Sequence, residues 1–368
     1  PARAKADLVT ASDNRIITPH FMKRRKFIGG MAVAIGAPTV LQGAAPEKIK
    51  IGQIGLVHAH SRGKLAAIRA MPDDYELVGV VEPDAARRKS VRGVKYISEE
   101  ALLNTKGLRV VAVETSIRDL VPTAARVVAT GRHVHLDKPA GPSLPAFEKL
   151  VADARRQKLT IQMGYMLRYN TAFQFMFRAV REGWFGEVME IDAMMGKLAG
   201  AGMRKELEEY SGGGFFELAC HILDSAIFIL GKPQKVHGIN RRTRAKQRDT
   251  FADNQLAVLE YPKATACLRC NHNDPFGGSR RRFNLAGTRG GMEIQPMESG
   301  KFVLNLDRAR GVYKKGTQTV QLKGGRSYVA EFADLAKVIR GQKQLAWTYE
   351  HDLTVHETLL RICGMPLD

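Results

Sequence analysis

Cysteine and tryptophan are scarce: four and two among 368 residues, with aromatics at 7%. Cys220, Cys267, Cys270 and Cys363 are too few and too scattered to form a disulfide framework for a chain this long. The Cys267, Cys270 spacing is half that of a zinc site, but no second pair follows. In a strand, a three-residue separation also sends the two side chains to opposite faces. Acid is short as well: 37 Asp and Glu against 57 Lys and Arg give a net charge of +20. Aromatics are missing from the basic clusters RRTRAKQR (241–248) and Arg280 to Arg282, so neither offers a stacking platform and no nucleic-acid partner is expected. No internal repeat or low-complexity tract occurs, and no apolar run is long enough to anchor the chain in a membrane.

What is present suits a large enzyme. At 44% hydrophobic, the chain can bury cores for about two domains. Residues 22–45, MKRRKFIGGMAVAIGAPTVLQGAA, combine a basic head carrying Arg24 and Arg25, a short glycine-rich apolar run and a small-residue end. That is the layout of a twin-arginine export signal. The expectation is a start at Met22 with 1–21 as an over-extended upstream stretch, an export label over 22–45, no part in the fold for 1–45 as a whole, and work in the periplasm or otherwise outside the cytoplasm. Those 45 residues carry seven basic and two acidic side chains, so the remainder is still basic at +15.

From Ile49 the chain alternates β-branched runs with helical stretches: KIKIGQIG, a helix near 63–70, YELVGVV, LRVVAVE, a helix over 119–130, then HVHL. This pattern predicts right-handed crossovers and a parallel dinucleotide-binding sheet over 46–168. Gly55 ends the first strand, where a turn would offer backbone amides to a pyrophosphate. The glycine fingerprint is incomplete, with Val57 and His60 at its second and third positions. Glu82 ends the second strand, placed to accept a ribose 2′-hydroxyl and to repel a 2′-phosphate, which favours NAD over NADP.

Lys138 follows the apolar strand HVHL in the stretch HVHLDKPAG. A cation at a strand's carboxyl end points into the crevice where open α/β sheets bind ligands. Further on, SGGGFFELACHILDSAIFILG (211–231) places Glu217, His221 and Asp224 at helical spacing on one face of an otherwise apolar helix. A polar stripe on a buried helix needs partners or a cavity, so a site is expected there. His133 and His135 share a strand face but lack a third ligand, and no metal is expected.

In ordered combination these segments resemble the Gfo/Idh/MocA oxidoreductases from Lys48 onward. The shared elements are the Gly55 turn, Asp137-Lys138-Pro139, GYMLRYN (164–170), GWFGEV (183–188), the glycine run before Glu217 and His221, and Asp224. The resemblance implies an α/β fold class. Its N-terminal part would be a Rossmann domain and its C-terminal part, 169–368, an α/β domain with an open, mainly antiparallel sheet that forms dimers or tetramers. It implies hydride transfer between nicotinamide and a hydroxyl carbon of a sugar or cyclitol. Lys138 and His221 would be catalytic, with Glu217 orienting the histidine or binding substrate. Gly55, Val57, His58, Glu82, Thr115, Asp137 and Lys138 would contact NAD, and Arg168, Tyr169, Glu217 and Asp224 the sugar. The chain departs from the family at Asp137, Glu217, Val57, Thr115-Ser116 and Leu120. Two rival readings use the same motifs: glycoside cleavage through transient oxidation at C3, and a sugar-binding module without catalysis. The residual positive charge adds the expectation of an anionic sugar.

Overall fold

The computed structural model describes residues 8–11, 47–243, 248–324 and 328–368. The twin-arginine segment lies outside them. In chain order the described strands are β1 (Leu8–Ala11), β2 (Ile49–Ile54), β3 (Tyr75–Val81), β4 (Leu108–Val113), β5 (His133–Leu136), β6 (Ile161–Met163), β7 (Val188–Gly196), β8 (Lys235–Arg241), β9 (Asn254–Glu260), β10 (Thr265–Asn271), β11 (Arg282–Gly287), β12 (Gly290–Ile294), β13 (Lys301–Leu306) and β14 (Gly316–Leu322).

The first sheet is parallel throughout, in the order β3-β2-β4-β5-β6. Its central strand β4, LRVVAV, is buried at every position but Arg109, as a strand covered on both faces must be. The helices Ser61–Arg69 and Ile117–Ala129 begin two residues earlier than their apolar periodicity suggests. The second is held at its start by Ser116, whose hydroxyl bonds the Asp119 carboxylate. The switch in strand order between β2 and β4 opens the crevice in which such sheets bind ligands.

The second sheet has nine strands, in the order β1-β14-β13-β12-β11-β7-β10-β9-β8. It is antiparallel except where β7 meets β10 and where β1 meets β14. Strands β9, β10 and β13 alternate buried with half-buried or exposed residues, the pattern of a sheet with one covered face. Cys270 points inward and Cys267 outward on β10, so the pair cannot share a metal.

Two expectations need correction. Leu8–Ala11 falls within the upstream residues excluded from the fold, yet it extends the second sheet by pairing with β14, an edge that otherwise presents unpaired backbone groups. The helix Tyr328–Ile339, assigned by sequence position to the second domain, packs on the first. Phe332, Leu335, Ala336 and Ile339 share a core with Ile49, Ile51, Ala67, Ile68 and Val110. The Tyr75 hydroxyl donates to the Phe332 carbonyl at 2.7 Å.

Candidate active site

The parallel strands end in a row of functional positions: Gly55 after β2, Glu82 after β3, Glu114 and Thr115 after β4, and Asp137 and Lys138 after β5. A cleft of about 600 Å³ opens beside the ends of β2, β3 and β4, lined by Gly55, Val57, Glu82, Arg87, Thr115 and Ser116 with their neighbours. Gly55 has φ +95°, and a Cβ there would sit 2.6 Å from the Glu114 carbonyl oxygen. Only glycine lets the chain turn that tightly against β4. The helix Ser61–Arg69 that follows has no acid in its first turn, so its positive end is left to attract an anion. Val57 stands at the rim, 39% exposed. Glu82 lines the cleft but braces the turn as well: its carboxylate accepts the Leu56 N–H at 2.8 Å and the Asp84 N–H at 2.9 Å, and Arg87 lies 3.3 Å away. A concave wall, a helix start free of acid and a carboxylate at the end of the second strand together fit a dinucleotide.

His58 and Asp137, expected at the cofactor, are turned inward instead. His58 is 8% exposed and Asp137 wholly buried. Asp137 faces His58, His60 and Lys64, and Lys64 also lies 3.2 Å from Glu114. Burial alone would raise the Asp137 carboxyl, but His58, Lys64 and His60 outweigh it and hold the pKa well below the ordinary range. Glu114 shifts the other way, raised by burial and by the Asp137 charge against the pull of Lys64. The sequence signal for this cluster was present in the HAHSRGK run, where Lys64 follows His60 by one helical turn, and in the acid that closes LRVVAVE.

Lys138, Glu217 and His221 do come together. The Lys138–Pro139 peptide is cis, and the wholly buried Lys138 ammonium donates to the Glu217 carbonyl and lies 3.4 Å from its Oε1. Glu217 sits in a π-helical turn, Phe215–Ala219, that runs into the helix Cys220–Leu230. Such turns recur at functional sites because they re-aim the side chains that follow. Lys197, which sequence reasoning missed, reaches the second Glu217 oxygen at 2.7 Å, with His272 at 3.6 Å. Burial would raise Glu217, but Lys138 and Lys197 hold it well below the usual carboxylate range. The glycine run makes room for this arrangement: a Cβ on Gly214 would lie 2.1 Å from the His272 ring.

His221 packs between His60 and Tyr165, each at 5.9 Å between ring centroids. Burial first, and then the Lys138 charge, push its pKa well below 6.5. It is therefore neutral through the physiological range and able to accept a proton. Neither ring nitrogen has a hydrogen-bond partner among the described residues.

Three expected substrate contacts are corrected. Arg168 is buried, with its guanidinium clamped by Asp224 at 2.6–3.2 Å and bonded to Asp352. It stacks between Tyr165 and Trp347 at 4.7 and 5.1 Å. Asp224 also holds His351 at 2.9 Å. Tyr169 is buried and donates to Asp334 at 3.0 Å while accepting from Gln162. Charge demands these pairings: a buried cation and carboxylate neutralise one another before either can reach a ligand. His133 and His135 likewise serve other partners, the Thr160 N–H and Glu331 respectively.

Residues 49–165 match the family model described as "Oxidoreductase family, NAD-binding Rossmann fold", and residues 173–293 match the "GFO/IDH/MocA C-terminal domain". The chain is 25% identical over 326 residues to the Escherichia coli (strain K12) oxidoreductase YdgJ, covering 86% of this chain and 85% of YdgJ. With YhhX of the same organism it shares 27% over 179 residues, about half of each chain (47% and 49%). Its fold is similar to that of the aldose-aldose oxidoreductase from Caulobacter crescentus, with TM-score 0.73, 18% identity, and coverage of 86% of this chain and 98% of that one. It is also similar to GenD2 from gentamicin A biosynthesis, solved in complex with NAD, with TM-score 0.72, 18% identity, and coverage of 87% and 95%.

Proposed function

The chain belongs to the NAD-binding Gfo/Idh/MocA oxidoreductases, and from that membership we propose that it transfers hydride between a nicotinamide and a hydroxyl-bearing carbon of a sugar or cyclitol. The observation that carries the reading is the meeting of Lys138, from the end of β5, with Glu217 and the helix that bears His221. Bound NAD supplies the hydride acceptor. Gly55, Val57, Glu82 and Thr115 would hold it along the cleft, while the start of the helix Ser61–Arg69 favours its phosphates.

Oxidising an alcohol carbon requires the hydroxyl proton to leave as the hydride does. His221 is buried and neutral, and neither ring nitrogen has a hydrogen-bond partner among the described residues, so it is the group we assign to take the proton. Lys138 stays charged: burial works against its ammonium, but Glu217 outweighs that and raises its pKa. Its charge stabilises the developing alkoxide in surroundings that exclude water. Glu217, held between Lys138 and Lys197, fixes the ammonium in place and offsets part of the two positive charges.

NAD rather than NADP fits the Glu82 carboxylate, and the export-signal layout at Arg24-Arg25 supports work in the periplasm. The outward face of the nine-stranded sheet is the surface we assign to dimer or tetramer formation. An anionic sugar has little support from the second basic cluster, because Arg280, Arg281 and Arg282 are each paired with a carboxylate.

The test is native mass spectrometry for retained NAD, followed by a sugar screen of wild type against Lys138→Ala, read as nicotinamide absorbance at 340 nm. The expected result is bound NAD, reduction by one class of sugar, and a loss in Lys138→Ala on the order of 100-fold or more. Equal rates in the two proteins would overturn the assignment of Lys138. Release of an aryl glycoside's phenol without net NADH would move the reading to oxidative glycoside cleavage.

A further inference from the structure

Away from the cleft, a second pocket of about 240 Å³ opens between the end of the helix Thr171–Arg181, the end of the helix Cys220–Leu230 and the segment that precedes the helix Tyr349–Cys363. It shares no lining residue with the cleft beside β2, β3 and β4. Three rings wall it: the Phe228 ring centroid stands 4.6 Å from that of Phe177 and 5.3 Å from that of Trp347. Val180, Phe228 and Ile229 are half-buried and Arg181 is exposed, so the pocket reaches the surface. A concave, mainly apolar wall with a few polar groups at its edge is the form that small-molecule sites take.

Size and charge select the occupant. An apolar cavity of about 150 Å³ holds benzene, so a pocket of about 240 Å³ has room for one ring and a short chain. Aromatic walls favour a ring, which they meet edge-on or offset. Two polar groups on the lining residues have no partner among the described residues, the Trp347 indole N–H and the Arg181 guanidinium, and both can only donate. Gln174, which also lines the pocket, is bonded to the Arg168 carbonyl. The carbonyls that end the helix Thr171–Arg181 are taken as well: Arg178, Ala179 and Val180 accept the N–H groups of Glu182, Trp184 and Gly183 at 2.9–3.0 Å. Arg181 is thus the charge that an occupant meets, and it calls for an anion.

We propose that this pocket binds a small aryl-alkyl carboxylate, one aromatic ring joined to the carboxylate by a short chain, with the ring against Phe177, Phe228 and Trp347 and the carboxylate on Arg181. Trp347 also packs on the Arg168 guanidinium at 5.1 Å and on Tyr169 at 5.5 Å. It is one of two tryptophans in the chain, and the other, Trp184, packs on Phe175 and Tyr313 and does not line the pocket. Tryptophan emission therefore reports occupancy. The inference does not depend on the identity of the sugar or on hydride transfer.

The full chain is titrated with 3-phenylpropionate, followed by calorimetry and by tryptophan emission. The expected result is one molecule per chain with Kd on the order of 100 μM, the range for a ligand of this size. The alcohol 3-phenylpropanol keeps the ring and loses the charge, and it should bind roughly tenfold more weakly. Arg181→Met, at an exposed position that leaves the core intact, should weaken the acid by roughly the same factor and leave the alcohol unchanged. Saturating NAD should not displace the acid, because the cleft beside β2, β3 and β4 is separate. No saturable binding up to about 5 mM, equal affinity for acid and alcohol, an Arg181→Met protein that binds the acid as wild type does, or displacement by NAD would each overturn the site.

Discussion

Lys138 and Glu217 set each other's charge. Each is buried, each would lose its charge in isolation, and the pair together keeps both ionised. His221 has no such partner among the described residues, and burial together with the Lys138 charge pushes its pKa down. His356 is a second histidine of this kind, on the helix Tyr349–Cys363 and away from the site. It packs on Phe147 at 5.3 Å, has no hydrogen-bond partner at either nitrogen among the described residues, and is pushed down to about 3 by burial. Its folded pKa lies below the unfolded 6.5, so the unfolded chain binds the extra proton. Stability is therefore intact above pH 6.5 and falls as pH drops below it, by about 1.4 kcal/mol per pH unit from this residue. His133, pushed down to about 4, adds to the same slope. His356→Leu should flatten the acid limb by that amount between pH 6.5 and 4 and leave the rest of the curve in shape, measured by urea unfolding at stepped pH. An unchanged slope would mean that His356 is solvated.

At the scale of elements, the site depends on two backbone irregularities that periodicity does not show. One is the turn at Gly55. Alanine there would have to hold φ +95° and place its Cβ 2.6 Å from a carbonyl oxygen. Gly55→Ala should cost at least about 2 kcal/mol and reduce NAD affinity together with stability, checked by unfolding midpoint and NAD titration. The other is the π-helical turn at Phe215–Ala219. A regular helix spacing places Glu217, His221 and Asp224 on one stripe, and the structure does put all three on the buried side. The turn nevertheless directs them to separate neighbours: the lysines, the His60 and Tyr165 rings, and Arg168. The glycine run before it was legible as a loop. Its reason, contact with the His272 ring, required the strand β10 to be in place.

Across the whole molecule, the chain ties its two sheets together by returning. The helix Tyr328–Ile339 covers the first sheet, and Arg168 joins the segment after β6 to Asp224 and to Asp352 on the C-terminal helix. Arg168→Met should leave two buried carboxylates without their cation, at a cost of about 3–5 kcal/mol. Arg168→Lys should recover only part of it, because an ammonium lacks the planar fork by which the guanidinium holds Asp224 through two nitrogens while bonding Asp352. Thermal unfolding of the three proteins checks the order. A Met variant as stable as wild type would show that the cluster is not needed for the fold.

The sequence by itself determined the parallel first sheet, the cleft positions Gly55, Glu82 and Thr115, and the candidates Lys138, Glu217 and His221, which the fold sets close together. Those features follow from local rules: alternating strands and helices, strand ends, and polar residues on an apolar helix. Only the tertiary structure decided which charges are spent on one another. Arg168, Tyr169 and Asp224 are polar residues beside the site in sequence, and they become interior braces once Asp334, His351 and Asp352 arrive from the far end of the chain. His58 and Asp137 turn inward for the same reason. A buried charge is placed by its partner, and a partner more than fifty residues away leaves no periodicity in the sequence to read.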